Sequence, residues 1–90
     1  MVVENLGKYG SIILLHLYNN GKIMISDARH LGMGYGTFYR SLIPLLQMGL
    51  IKEKKSNSGA RRVFVLTDLG KKVASKLKEI DELLNSMTRS

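Results

Sequence analysis

Apolar residues at helical spacing predict a first helix from Tyr9 to Asn19. The residues that recur at intervals of three and four are Ile12, Ile13, His16 and Leu17. The Asn-Asn-Gly sequence at its end tolerates the left-handed backbone conformation and therefore predicts termination. Further apolar residues widen this surface beyond one stripe, so the helix needs a second burial partner, either in its own domain or in another subunit.

A short strand and a brief helix are predicted next. The β-branched run from Lys22 to Ile25 is long enough for one small edge strand. Ser26 is a favourable helix N-cap and Asp27 a favourable first-turn residue, so we expect a short helix over residues 28–31. A glycine-rich turn follows this helix.

The segment 35–48 is predicted to be a longer helix with one apolar side. The residues on that side are Phe38, Leu42, Leu45 and Leu46. Pro44 lies inside the helix and lacks a backbone N–H, so a loss of stability or a kink is expected there. If the apolar side faces the core, the outward-facing residues are Tyr35, Gly36, Tyr39, Arg40 and Ile43.

An antiparallel hairpin is predicted from Leu50 to Leu66. Its first strand, residues 50–55, becomes polar along its length, and its second strand, residues 62–66, is rich in β-branched and aromatic residues. A small polar Ser-Asn-Ser-Gly turn with basic flanks connects them. Alternation along the second strand places Arg61 and Arg62 on opposite faces, so only one of them is expected to meet a ligand on a given side.

The last predicted helix begins after its cap Thr67 and ends near Ser86. Its apolar residues are Leu69, Val73, Leu77, Ile80, Leu84 and Met87. From Val73 onward their spacing alternates between four and three, as in a coiled-coil seam, although two heptads are fewer than a coiled coil usually shows. The alternative is that this stripe packs on its own domain. We favour dimerisation, because a domain of this size already has a core without the stripe.

Length and composition limit the classes of protein that fit. The chain has 90 residues and no cysteine, which predicts one domain and excludes disulfides, thiolate zinc sites and thiol redox sensors. It contains no apolar run long enough to span a membrane and no signal-peptide pattern at its N-terminus. We therefore expect a cytoplasmic protein.

The positive charge is concentrated in the middle of the chain. The net charge is +7, and ten basic but only three acidic residues lie between Lys22 and Lys72, while the two ends are neutral. Such a segment favours a polyanionic partner. The alternative is a soluble basic protein with no particular ligand.

This order of elements resembles the winged helix-turn-helix transcriptional regulators over about residues 9–80. Residues 37–51 resemble the recognition helix and following strand of MarR and PadR proteins, and residues 61–70 resemble their wing strand and Leu-Thr-x-x-Gly helix start. The first helix lacks the Gly-Tyr pattern typical of PadR proteins, and the chain is shorter than most MarR proteins. Small archaeal and archaeal-virus regulators look most similar.

The resemblance implies an α+β, mostly helical fold: a winged helix-turn-helix with a two- to three-stranded antiparallel wing sheet and a long C-terminal helix. Residues 1–90 are expected to form a single winged-helix DNA-binding domain. Within it, residues 7–67 would form the helix-turn-helix and wing, and residues 68–88 the dimerisation helix.

In such proteins the second helix of the motif enters the DNA major groove, which assigns this role to the 35–48 helix and a supporting role to the 54–62 wing. Arg40 is the best candidate for a bidentate contact to guanine. Tyr39 is suited to a base, a phosphate or a thymine methyl group, and Thr37 at the helix start is suited to phosphate. The residues expected to contact DNA from this helix are Tyr35, Gly36, Thr37, Tyr39, Arg40 and Ile43.

The wing and the first helix of the motif supply the other predicted contacts. They are Arg29, Lys54, Lys55, Asn57, Ser58, Arg61 and Arg62. The alternative for the wing is a solvated basic edge that discourages sheet aggregation. The residues predicted to form the dimer contact are Val73, Leu77, Ile80, Leu84 and Met87.

The predicted function is a homodimeric, sequence-specific regulator, most simply a repressor, that reads a pseudo-palindrome in double-stranded DNA. The alternatives are a non-specific architectural nucleic-acid binder, including one of RNA, and a winged helix used for protein interaction. His16 and His30 have no carboxylate at ligand spacing, and we find neither a catalytic set nor a nucleotide-binding glycine motif. We therefore predict no enzyme, cofactor, metal, membrane partner or evident small-molecule effector.

Overall fold

The structure is a computed structural model that describes residues 6–54 and 62–88. Over these residues the mostly helical α+β fold with an antiparallel hairpin and a long C-terminal helix is confirmed. The elements in chain order are α1 (Gly7–Asn20), 3₁₀ turns at Ile25–Asp27 and Arg29–Leu31, α2 (Tyr35–Gln47), β1 (Ile51–Lys54), β2 (Val63–Leu66) and α3 (Asp68–Thr88).

Helix α1 packs against both α2 and α3, which provides the second burial partner that its wide apolar surface requires. Ile13, Leu14 and Leu17 are fully buried, whereas His16 is only half-buried. The helix begins at Gly7, two residues before the predicted start, and ends at Asn20, one residue after the predicted end. Gly21, in the predicted terminating sequence, has a left-handed φ of 87°, and its N–H donates to the Leu17 carbonyl.

The predictions for the segment after α1 are wrong in detail. Residues 22–25 form no strand and contribute only one bridge, in which Ile23 and Phe64 exchange both backbone hydrogen bonds at 3.0 Å. Residues 25–31 form two 3₁₀ turns instead of an α-helix. Four residues before a left-handed Gly32 are too few to form an α-helical nucleus, and the tighter turn satisfies the same carbonyls. Ser26 makes no capping bond, while Asp27 accepts the backbone N–H of Met24 at 2.8 Å.

Helix α2 presents one side to the core, as its period predicts. Phe38, Leu42 and Leu45 are buried. Leu46 was expected on the same side but is exposed, because eight residues beyond Phe38 it lies about 80° around the helix from it. Pro44 is accommodated within the helix.

The hairpin is antiparallel, as predicted, although over the described residues its strands are shorter than the predicted 50–55 and 62–66. Ile51 lies opposite Leu66 and Glu53 lies opposite Phe64. Ile51, Phe64 and Leu66 are buried, whereas Glu53 at the more exposed end of β1 is open to solvent. The sheet thus closes one side of the core that α1, α2 and the first turns of α3 complete.

Thr67 joins the hairpin to α3. Its hydroxyl oxygen accepts the N–H of Gly70 at 3.0 Å, which is the predicted N-cap bond. The same hydroxyl donates to the Gly49 carbonyl at 2.6 Å, and the Thr67 N–H donates to the Leu50 carbonyl at 3.0 Å. One side chain therefore fixes the start of α3 to the end of α2.

We expect Thr67→Val to lower the free energy of unfolding by about 1–2 kcal/mol, because it removes the cap bond and leaves the Gly49 carbonyl without its hydroxyl donor. Urea denaturation followed by circular dichroism measures this change. Thr67→Ser is the matched control, since it keeps the hydroxyl. Equal stability of the Val and Ser variants would contradict this role.

The predicted seam of α3 divides into two parts. Val73 and Leu77 pack partly against the domain's own core. By contrast, Ile80, Leu84 and Met87 are 53%, 55% and 68% exposed. The core therefore ends near Leu77, and the remainder of α3 projects beyond it with these three apolar residues more than half exposed.

Candidate nucleic-acid interface

The outward face of α2 is the one that the apolar period predicts. Tyr35 is 52% exposed and Ile43 is 51% exposed. Tyr39, Gly36 and Arg40 are also exposed, and Thr37 is half-buried. Helix α2 therefore presents two tyrosines one turn apart, with an arginine and an isoleucine beside them. Their contacts to DNA remain a prediction.

Arg40 folds back over the first turn of α2. Its Nε donates to the Gly36 carbonyl at 3.3 Å, and one terminal nitrogen donates to Thr37 Oγ1 at 3.5 Å, both long and weak bonds. Together with Lys8 and Ser41, Arg40 and Thr37 line an open groove of about 420 Å³ between α1 and α2. Arg40 thus lies near the helix N-terminus, where anions are favoured, and must extend from this position to reach a base edge.

Each tyrosine on this face contacts an arginine from a neighbouring element. The Arg29 guanidinium, in the second 3₁₀ turn, lies 5.9 Å from the Tyr35 ring centre. The Arg62 guanidinium, next to β2, lies 5.5 Å from the Tyr39 ring centre. Both distances are within the range of cation–π attraction. The turn before α2 and the base of the wing are therefore connected to the same face of the helix.

Arg62 is also paired with Glu53 on the opposite strand. Its Nε and a terminal nitrogen donate to the two carboxylate oxygens of Glu53 at 3.0 and 3.1 Å. These hydrogen bonds, with the attraction of the opposite charge, lower the pKa of Glu53 from its ordinary 4.5. The pair therefore stays ionised at neutral pH and weakens only as the pH falls through this lowered pKa.

The other wing residues are only partly described. Lys54 is exposed and lines an open groove of about 830 Å³, together with Lys52, Lys71 and Tyr18. Glu53 lines the same groove, so its charged lining consists of three lysines and one glutamate. Lys55, Asn57, Ser58 and Arg61 lie outside the described residues.

His16 has a carboxylate neighbour that its sequence spacing does not reveal. Its Nε2 lies 3.9 Å from Asp27 Oδ2, because the 3₁₀ turn returns to the side of α1. No group of three metal-ligating side chains occurs within residues 6–54 and 62–88. Over the same residues, none of the helices is both long and apolar enough to cross a membrane.

Sequence reasoning missed two charged residues of this surface. Lys8 lines the groove beside Arg40, although it belongs to the neutral N-terminal end. Glu53 holds Arg62, and the signal for this pair was the hairpin register, which puts Glu53 opposite Phe64 and near the start of β2.

No family model and no curated protein sequence matches the chain. Solved structures do match. The chain is similar to an apo-form ZitR variant from Lactococcus lactis, at 21% identity and a TM-score of 0.87 over 97% of this chain and 67% of that one. It is similar to F-93 of SSV1, at 32% identity and a TM-score of 0.68 over 86% of this chain and 89% of that one.

A third similar structure is that of reduced AbfR bound to DNA, at 25% identity and a TM-score of 0.67 over 87% of this chain. This chain spans 59% of the AbfR chain. The three matched proteins are winged-helix transcriptional regulators.

Proposed function

This chain belongs to the winged-helix family of F-93, and from that premise we propose that it is a sequence-specific regulator of transcription that binds double-stranded DNA. The observation that carries the proposal is the exposed face of α2, where Tyr35, Tyr39, Arg40 and Ile43 stand clear of the core. A helix of this kind fits the major groove and brings its outward side chains to base edges.

The charge distribution supports binding of the DNA backbone by the residues around α2. Arg29 precedes α2 in the sequence and Lys54 follows it. Both are exposed, and both belong to the segment that holds the whole net charge. Cations at such positions attract phosphates without regard to sequence and set the register of the helix in the groove. The DNA complex of AbfR supports the same partner by similarity.

We propose that residues 7–67 bind DNA and that the part of α3 beyond Leu77 forms the dimer contact, because Val73 and Leu77, which the sequence also predicts as dimer contacts, pack on the core. The exposed apolar residues beyond the core, Ile80, Leu84 and Met87, support a second copy as the partner of α3. Two copies related by a two-fold axis would present their α2 helices about 34 Å apart, and the matching DNA site is a pseudo-palindrome. We propose repression as the outcome when the dimer occupies such a site.

The subtype we propose is the small archaeal or archaeal-virus regulator of MarR/PadR-like type. The recognition-helix segment 37–51 and the wing segment 61–70 support it. The Leu-Thr-x-x-Gly motif in the second segment ends at Gly70, which lies in the first turn of α3 and is buried against Leu50 and Leu66.

Variants of Arg40 and Lys54 test the division between base reading and backbone binding. Arg40→Ala should lower the affinity for a selected DNA site about 10- to 100-fold, because a base contact is worth about 1–3 kcal/mol. The affinity for a scrambled duplex should change much less. Lys54→Ala should lower the affinity for both duplexes by the same factor and reduce the slope of log affinity against log salt by about 1.

Fluorescence anisotropy at several salt concentrations gives both quantities. If Arg40→Ala lowered the affinity for both duplexes equally and reduced the salt slope, Arg40 would bind phosphate from its folded-back position over the first turn of α2. If the unaltered protein bound both duplexes equally, the proposal of sequence specificity would be wrong.

A further inference from the structure

Glu53 is an acid in a segment whose proposed partner is a polyanion. It stands between Lys52 and Lys54 in β1, and its side chain is 44% exposed. A negative charge at that position opposes binding to phosphates. Glu53 therefore does not contribute to the general attraction of DNA.

The geometry of the pair shows where the charge of Glu53 acts. Both carboxylate oxygens accept from the Arg62 guanidinium, in the two-pronged arrangement that fixes orientation as well as distance. An exposed pair of this kind contributes little to stability by itself. Its main effect is to fix the direction in which the Arg62 side chain points.

Glu53 directs Arg62 onto two aromatic rings. The guanidinium lies 5.2 Å from the Phe64 ring centre and 5.5 Å from the Tyr39 ring centre. Phe64 is buried and belongs to the sheet, whereas Tyr39 is exposed and belongs to α2. Tyr39 also has the edge contact with buried Phe38, at a ring-centre distance of 5.5 Å. The phenol is thus held between the core and the wing.

We propose that Glu53 is a positioning residue for DNA reading, which acts by holding Arg62 on Tyr39 and so fixing the phenol of the recognition helix before DNA binds. This inference rests on the proposed function. A side chain that is already ordered does not lose rotamer entropy on binding, and this favours the DNA sequence that fits its one position. Arg62 then serves the wing–helix contact, and its charge is balanced by Glu53.

Replacement of Glu53 separates this role from simple electrostatics, because the two predict different results. Glu53→Gln removes a negative charge, and electrostatics alone predicts tighter binding to every duplex with unchanged discrimination. The positioning role predicts a loss of discrimination, since Tyr39 becomes free to sample other positions. The measured quantity is the ratio of affinities for a selected duplex and a scrambled one.

We expect Glu53→Gln to lower this ratio about tenfold, within the range of one base contact. Arg62→Lys should lower it similarly, because lysine keeps the charge but lacks the planar two-pronged group. Asp68→Asn is the charge-matched control. Asp68 is an exposed acid in the same basic segment, at the start of α3, and its replacement should leave the ratio unchanged. Thermal unfolding confirms that each variant is folded.

A second readout needs no DNA. Protons of the Arg62 side chain lie beside two aromatic rings, so their NMR resonances should be shifted by ring currents in the unaltered protein. Glu53→Gln should move them toward the values of a free arginine, and Asp68→Asn should not.

An unchanged ratio in Glu53→Gln, or ring-current shifts that persist in this variant, would overturn the positioning role while the regulator function stands. If the unaltered protein shows no discrimination between duplexes, the proposed function is wrong. The DNA-reading role of Glu53 is then wrong as well, even if the NMR shifts confirm that Glu53 orients Arg62.

Discussion

Gly70→Ala is expected to destabilise the fold by at least about 3 kcal/mol, a large part of the stability of a small domain. A Cβ at this position would overlap the carbonyl oxygen of Leu50 and lie 2.8 Å from its carbonyl carbon and 3.2 Å from Leu66 Cδ2. Leu50 cannot easily move away, because its carbonyl accepts the N–H of Thr67. Helix α3 can approach the hairpin only where it has no side chain.

Thermal unfolding followed by circular dichroism measures this effect. A loss of that size corresponds to a fall in Tm of more than about 10 °C for a chain of this length. Gly36→Ala is the control, since it lies within α2 and a Cβ there meets no atom within 4 Å; it should be neutral or slightly stabilising. A Tm for Gly70→Ala close to that of the unaltered protein would contradict the packing of α3 on the hairpin.

The second large effect is expected from charges on the projecting part of α3. We expect the double variant Ile80→Asp, Leu84→Asp to be monomeric and to bind a palindromic site about 100- to 1,000-fold more weakly, because two half-sites would no longer be bound together. Both residues are more than half exposed in the single chain, so their replacement should leave the fold of the monomer intact. Affinity for an isolated half-site should change little.

Analytical ultracentrifugation gives the oligomeric state, and anisotropy with whole and half sites gives the affinities. Leu69→Asp is the control, since Leu69 is 52% exposed but lies in the first turn of α3, outside the projecting part. Leu77 is unsuitable for this test because it packs against the core. A double variant that sediments like the unaltered protein would show that α3 does not hold the dimer together.

The sequence predicted the long elements because their periods repeat several times. The apolar side of α2 and the capped start of α3 required only local information, and both are confirmed except at Leu46, which is exposed. Two favourable local residues predict an α-helix over residues 28–31, but so short a segment takes the turn that its flanking glycine allows. The division of the α3 stripe at Leu77 was not predictable, because the sequence does not show how far the core extends.

The exposed residues of the candidate site were predictable from the sequence, but the contacts between its elements were not. Exposure of Tyr35 and Tyr39 followed from the helical period, and the surrounding basic segment followed from the charge count. The contact of Glu53, Arg62 and Tyr39 joins three elements, and its existence depends on the register of the hairpin and on its distance from α2. Neither quantity is encoded locally, so Glu53 was missed.

Selection of bound duplexes from a random DNA library tests the central claim most directly. The account predicts that one family of sequences is enriched, with two inverted half-sites whose centres are about one helical turn, 34–36 Å, apart. Binding of the enriched duplex should exceed that of a scrambled one by about 1,000-fold or more at moderate salt. Recovery of the library without any enriched sequence, despite salt-dependent binding, would contradict sequence-specific reading by α2.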